Sequence, residues 1–288
     1  MDCGMNLFSS LYIEDNVPDR EGFREISRQL GEPESHCEIR YTWKNGACAR
    51  SVWMGATDEQ TVTSKGTVQC VFGDPDYSYV LYLPQGYDPT DGKKWPLIFF
   101  FHGIGERGDD PHALLKMAMP EYLLKGGRLD AIMVAPQCPA GSHWVDNPGE
   151  LEKLSRFIPR MIGKYRADED RVYITGLSMG GRCCWMLALA MPETFAAAAI
   201  VCGRTIDYDL HRITRMPLWM FHGVQDEITP FFNMNRVIPK LSEYGHRYYK
   251  LTVYPRLEHA IWQETYRKRE LYHWLLAQSR SRNAAAKP

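Results

Sequence analysis

RVYITGLSMGGRCCWMLALAM, residues 171–191, is the stretch that decides the fold. Val172, Tyr173 and Ile174 make a short apolar run of strand length, whereas the segment from Arg182 to Met191 is rich in Ala, Leu and Met, residues that favour a helix. Between them lies Gly176-Leu177-Ser178-Met179-Gly180, so a strand passes into a helix through a sharp turn. Such a turn strains the serine backbone, and side chains two positions away on either side would strike the strand or the helix. Gly176 and Gly180 remove the β-carbons that would clash. Ser178 then stands at the sheet edge, at the positive end of a helix dipole that favours developing negative charge. The plainer reading of Ser178 is an N-cap on the same helix. A Gly-X-Ser-X-Gly pattern alone is a weak signal; the strand before it and the helix behind it make Ser178 a candidate nucleophile.

Outward from this turn the chain alternates. TVQCVF (67–72) and SYVLYL (78–83) flank Gly73-Asp74-Pro75-Asp76 and read as a hairpin. PLIFFF (96–101), AIMVAP (131–136), RVYIT (171–175), AAAAIVC (196–202), PLWMF (217–221) and YKLTVY (249–254) follow, nearly all continuously apolar, as strands covered on both faces must be. Helical spacing separates them at about 112–125, 149–165, 178–190, 231–244 and 260–277; in the second of these Leu151, Leu154, Phe157, Ile158, Met161 and Ile162 share one stripe. The expected fold is α/β: a mainly parallel eight-stranded sheet with an antiparallel leading edge and helices on both faces.

Residues 1–66 do not fit this alternation and hold too few apolar residues for a core of their own. They are expected to be an N-terminal extension packed on the main domain, with a short helix near 20–30; a separate accessory module is the alternative. The main domain spans 67–277, and the polar, Ala-rich 278–288 reads as a disordered tail.

A serine hydroxyl needs a base, and the base needs an orienting acid. Asp226 follows the strand PLWMF in His222-Gly223-Val224-Gln225-Asp226-Glu227, and His259 follows the strand YKLTVY; both lie just past strand ends, where open α/β sheets place their sites. The chain order Ser178, Asp226, His259 is the order that hydrolases built on this turn use. Glu227 is the competing acid, and His102, His222 and His246 lie before or between the relevant turns. Backbone N–H groups must then meet the carbonyl oxygen as it turns negative. Met179, next to the nucleophile, and Ile104, in the glycine-rich loop His102-Gly103-Ile104-Gly105-Glu106-Arg107-Gly108, are the expected donors. That loop lacks the Gly-Lys-Ser/Thr ending of a phosphate-binding loop.

Lys+Arg 34 against Asp+Glu 35 in 288 residues removes the basic footprint of a nucleic-acid binder. No apolar run reaches membrane-spanning length. MDCGMNLFSSLYIEDN (1–16) does not read as a secretory signal, so a cytoplasmic location is expected, with export the alternative if a leader has been removed. The eight cysteines form no CxxC pair, which argues against zinc. Cys183, Cys184 and Cys202 read as buried thiols, while Cys37, Cys48, Cys70 and Cys138 could pair in an exported protein.

FFHGIGERGDD, VAPQCP with Trp144 shortly after, ITGLSMGG, FHGVQDEITP and the cluster His259, Trp262 and Tyr266 together resemble the α/β-hydrolase esterases grouped with polyhydroxybutyrate-depolymerase-like and feruloyl-esterase-like proteins, relatives of the dienelactone hydrolase and prolyl oligopeptidase branches. The resemblance covers about 67–277. It implies a serine carboxylic-ester hydrolase with nucleophile Ser178, acid Asp226, base His259, donors Ile104 and Met179, and no metal or organic cofactor. It places Gln137, Trp144 and Trp262 near the acyl or alcohol pocket; plain packing is the alternative for both tryptophans. The implied partner is an ester, small or polymer-attached, of a feruloyl, other aromatic or acetyl type. Leu257-Glu258 stands where many relatives have glycines, and Arg182 where a tyrosine is frequent, which puts the pocket in question more than the triad. Only 14 residues, 203–216, follow the sixth strand, so no lid domain fits there. An acyltransferase, a peptidase of the prolyl oligopeptidase type and a non-catalytic binding protein are the competing readings; 66 residues cannot build the peptidase's propeller.

Overall fold

The computed structural model describes residues 37–44, 47–54 and 66–285. Its sheet has ten strands: β1 (Cys37–Lys44), β2 (Ala47–Met54), β3 (Thr67–Val71), β4 (Tyr79–Leu83), β5 (Leu97–Phe101), β6 (Ile132–Pro136), β7 (Val172–Leu177), β8 (Ala197–Val201), β9 (Leu218–Gly223) and β10 (Tyr248–Tyr254). They lie in the order β2-β1-β10-β9-β8-β7-β5-β6-β4-β3. The run from β10 to β6 is parallel throughout. Antiparallel hairpins close it at both ends, β3–β4 against β6 and β1–β2 against β10.

The second hairpin corrects the expected eight strands. Ile39, Tyr41 and Trp43 alternate along β1 and join the same buried cluster as Tyr249, Leu251 and Val253 of β10. Trp43 stands directly opposite Tyr249 and stacks on it, centroids 4.8 Å apart. Between them, Arg40 reaches the other face and pairs with Glu270 at 2.6 Å. This part of the N-terminal segment is therefore an integral edge of the sheet. Removing the indole in Trp43→Ala should cost about 3–5 kcal/mol, the scale of a large buried aromatic, read as a lower urea midpoint. The expected helix near 20–30 and the side chains of Cys37 and Cys48 lie outside the described residues.

Among the described residues seven helices flank the sheet: α1 (Ala118–Leu124), α2 (Pro148–Lys164), α3 (Met179–Ala190), α4 (Phe232–Glu243), α5 (Trp262–Tyr266), α6 (Arg269–Leu276) and α7 (Arg280–Ala285). One face carries α2, α3 and α4, through Leu154, Phe157, Cys183, Leu187, Val237 and Leu241; the other carries α1, α5 and α6, through Met119, Leu123, Tyr266, Leu271 and Leu275. The stripe read along 149–165 supplies the buried face of α2.

The tail also departs from expectation. Asp170 accepts from the Ser281 amide and hydroxyl, both at 2.7 Å, Tyr173 donates to the Gln278 carbonyl at 2.8 Å, and Asn283 donates to the Ala196 carbonyl at 2.8 Å. These long-range bonds order a polar segment that composition alone reads as loose. Cys70, Cys138, Cys183, Cys184 and Cys202 are free thiols, all but Cys70 buried. No helix among the described residues is long and apolar enough to cross a membrane.

Candidate active site

The chain runs from β5 to β6 on one side and to β7 on the other, so the strand order reverses at the β5–β7 boundary. A crevice forms at the carboxyl ends of the strands at such a point. Ser178 leaves β7 there with φ 53° and ψ −116°, a region that a non-glycine residue enters only under constraint. It occupies the N-cap position of α3, but its side chain makes no capping bond. Its Oγ lies instead 2.8 Å from His259 Nε2. His259 Nδ1 lies 2.7 Å from Asp226 Oδ2. Carboxylate oxygens accept only, so Nδ1 carries the proton and Nε2 is free to accept from the serine hydroxyl.

Asp226 is fixed from several sides. Oδ1 accepts from the Ile228 and Thr229 amides at 2.9 and 2.8 Å, and Oδ2 accepts from the Thr229 hydroxyl at 2.8 Å. Burial alone would push this carboxyl up; bonds from His222, His259 and Thr229 outweigh it and hold the group well below the usual carboxylate range. Asp226 therefore stays ionised well into acid pH. The loops bearing Asp226 and His259 approach closely at Gly223, where a β-carbon would stand 2.2 Å from the Glu258 carbonyl oxygen and 2.4 Å from that of Leu257.

The other side of the crevice is the loop after β5. A β-carbon on Gly103 would stand 3.7 Å from Ser178 Cβ, so this loop lies against the nucleophile. Ile104 opens a 3-10 turn over Ile104–Glu106, and Met179 opens α3. The first amides of such turns have no partner within the turn. The loop's carbonyls are engaged elsewhere. His102 Nδ1–H donates to the Gly103 carbonyl at 2.6 Å, while His102 Nε2 accepts from the Cys138 amide at 2.9 Å. Burial pushes the His102 imidazole down to about 4, which keeps it neutral in this role.

Gln137 and Trp144 bear on the same loop. Gln137 is buried and donates through Nε2 to the Glu106 carbonyl at 2.9 Å. Trp144 is wholly buried, donates through Nε1 to the His102 carbonyl at 3.2 Å, and packs edge-on against Tyr77, Phe101 and His102. Trp144 has no exposed surface and packs beneath the loop after β5, as in the packing alternative. Trp262 is brought to the site, its ring edge-on to His259 at 5.8 Å between centroids. Arg182, one turn beyond the nucleophile, is held by Asp146 at 3.1 Å. Among the described residues no group of three or more His, Cys, Asp or Glu side chains could hold a metal ion.

The profile of the dienelactone hydrolase family matches residues 151–287. A probable feruloyl esterase C of Aspergillus terreus is 29% identical over 154 residues, 53% of this chain and 56% of that protein. Acetylxylan esterase A of Aspergillus awamori is 27% identical over 161 residues, 51% of this chain and 50% of that protein. The chain thus spans about half the length of the curated relatives it matches. The crystal structure of a thermostable esterase superposes with a TM-score of 0.60 and 28% identity, covering 84% of this chain and 72% of that one. A CE1 ferulic acid esterase from the anaerobic fungus Anaeromyces mucronatus gives a TM-score of 0.53 at 17% identity over 77% of this chain and 94% of its own, a likeness of fold.

Proposed function

We propose that this chain, a member of the α/β-hydrolase superfamily, is a serine carboxylic-ester hydrolase. The observation that carries the reading is the unbroken hydrogen-bonded line from Ser178 Oγ through His259 to Asp226 Oδ2, set on a strained turn after a central strand. Ser178 Oγ attacks the ester carbonyl carbon as its proton passes to His259 Nε2. The Ile104 and Met179 amides hold the oxyanion. Asp226 steadies the imidazolium through Nδ1–H without taking that proton. Collapse of the tetrahedral adduct expels the alcohol, protonated by His259, and leaves an acyl-serine. Water then repeats the sequence with His259 again as base, releasing the acid.

The relatives named as feruloyl and acetylxylan esterases support feruloyl or acetyl esters as the substrate class. Trp262, beside His259, is the aromatic wall that such an ester would meet. Between β8 and β9 the described chain holds only a short turn, Leu210–Ile213, which suits an open site and a polymer-attached ester. The test is turnover of p-nitrophenyl acetate, methyl ferulate and acetylated xylan beside a peptide p-nitroanilide. Hydrolysis of at least one ester with the anilide untouched is the expected result. Cleavage of the anilide alone, or of nothing, would overturn the proposal.

A further inference from the structure

The mechanism above gives no task to a buried imidazole that lies against the acid. His222 sits near the end of β9, four residues before Asp226, with 1% of its surface exposed. Its Nε2 lies 2.6 Å from the Thr229 carbonyl and 3.3 Å from Asp226 Oδ2. Both oxygens only accept, so Nε2 carries the proton; it points chiefly to the nearer Thr229 carbonyl, with Asp226 Oδ2 a second, longer neighbour. Nδ1 has no hydrogen-bond partner, which leaves Nε2–H as the only polar function of the ring. Phe231 packs edge-on against the ring at 5.8 Å between centroids and helps hold it in place.

Two consequences follow from this placement. The ring spans the turn that carries Asp226, tying its first residue to Thr229 at its end. It also meets the carboxylate on Oδ2, the oxygen that His259 uses, whereas the backbone amides of Ile228 and Thr229 fix Oδ1. The Thr229 hydroxyl, the other neighbour of Oδ2, has a single proton and a competing acceptor in the Cys202 carbonyl at 2.9 Å. Thr229 and His222 therefore both face the oxygen that meets the base, and His222 is the one that also ties the strand end to the far end of the turn through the Thr229 carbonyl.

We infer that His222 is a positioning residue for the reaction: its Nε2–H sets the direction of Asp226 Oδ2, so that one carboxylate serves two imidazoles, one catalytic and one structural. The inference rests on the triad reading given above.

Glutamine and asparagine separate this role from simple filling of space, because the Gln amide nitrogen reproduces the reach of Nε2 and the Asn nitrogen that of Nδ1. His222→Gln should keep kcat on p-nitrophenyl acetate within about threefold of wild type. His222→Asn and His222→Phe should lose about 10–100-fold in kcat with KM within about twofold, the scale of a slightly misplaced catalytic group. The low-field proton resonance of the Asp226–His259 hydrogen bond should persist in the Gln variant and vanish or move upfield in the Phe variant. That readout needs no substrate, so it stands even if the ester assignment fails. A Phe variant with wild-type kcat and resonance, or a Gln variant as impaired as Phe, would overturn the inference.

Discussion

Ser178→Ala is expected to remove all labelling by a fluorophosphonate probe and to lower hydrolysis of p-nitrophenyl acetate by about 10³–10⁶-fold. The size follows from what the substitution removes. Oγ forms the bond to the acyl carbon and is the atom 2.8 Å from His259 Nε2, so without it the base has no hydroxyl to activate. No nearby thiol offers a substitute: burial pushes Cys183, Cys184 and Cys202 well above the ordinary thiol range, and a protonated thiol is a poor nucleophile. Asp226→Asn should be almost as severe, about 10⁴-fold, because an amide donor facing Nδ1 favours the tautomer that puts the proton on Nε2, where the serine needs an acceptor. Labelling that survives in the alanine variant would show the nucleophile to lie elsewhere.

Gly180→Ala should destabilise the protein by more than about 3 kcal/mol, beyond the usual cost of overpacking, measured by urea unfolding. A β-carbon there would stand 2.0 Å from the Phe101 carbonyl oxygen, 2.4 Å from its carbon and 2.7 Å from the His102 oxygen. All three are backbone atoms where β5 runs out into the glycine-rich loop that follows it, so no side chain can swing aside to relieve them. Gly105→Ala is the matched control. It lies in the glycine-rich loop, yet nothing stands within 4 Å of its would-be β-carbon, and it should unfold at nearly the wild-type urea concentration. A Gly180→Ala protein with an unchanged midpoint would mean that β5 and α3 are not packed as described.

These two glycines show what a sequence can reveal here. The motif around Ser178 made the need for Gly180 legible, because a strand-turn-helix passage has one steric solution. The run His102–Gly108 made its glycines look alike, since nothing in the order of residues says which of them another backbone crosses. The six parallel strands were legible because strands covered on both faces read as nearly unbroken apolar runs, and the leading hairpin because Gly73-Asp74-Pro75-Asp76 marks its turn. The N-terminal hairpin was obscured by averaging composition over 66 residues, although Ile39, Tyr41 and Trp43 alternate and Asn45-Gly46 is a strong hairpin signal. The burial of Trp144 was not legible for a different reason. Its neighbours Tyr77 and Phe101 are distant in the chain, so burial there depends on tertiary contacts that no local pattern carries. His222 could have been singled out by its place four residues before the candidate acid.

The β1–β2 hairpin also bears on how the site breathes. Border strands fray at almost no free-energy cost, whereas interior strands open only with larger units of the fold. With β1 bonded along β10 from Tyr248 to Val253, the strand that delivers His259 is an interior one. Amide protons of β10 should therefore exchange with solvent on a timescale approaching that of β7 rather than that of a sheet border. The imidazole is thereby insulated from edge fluctuations, and its distance from Ser178 should wander no more than the interior of the sheet does.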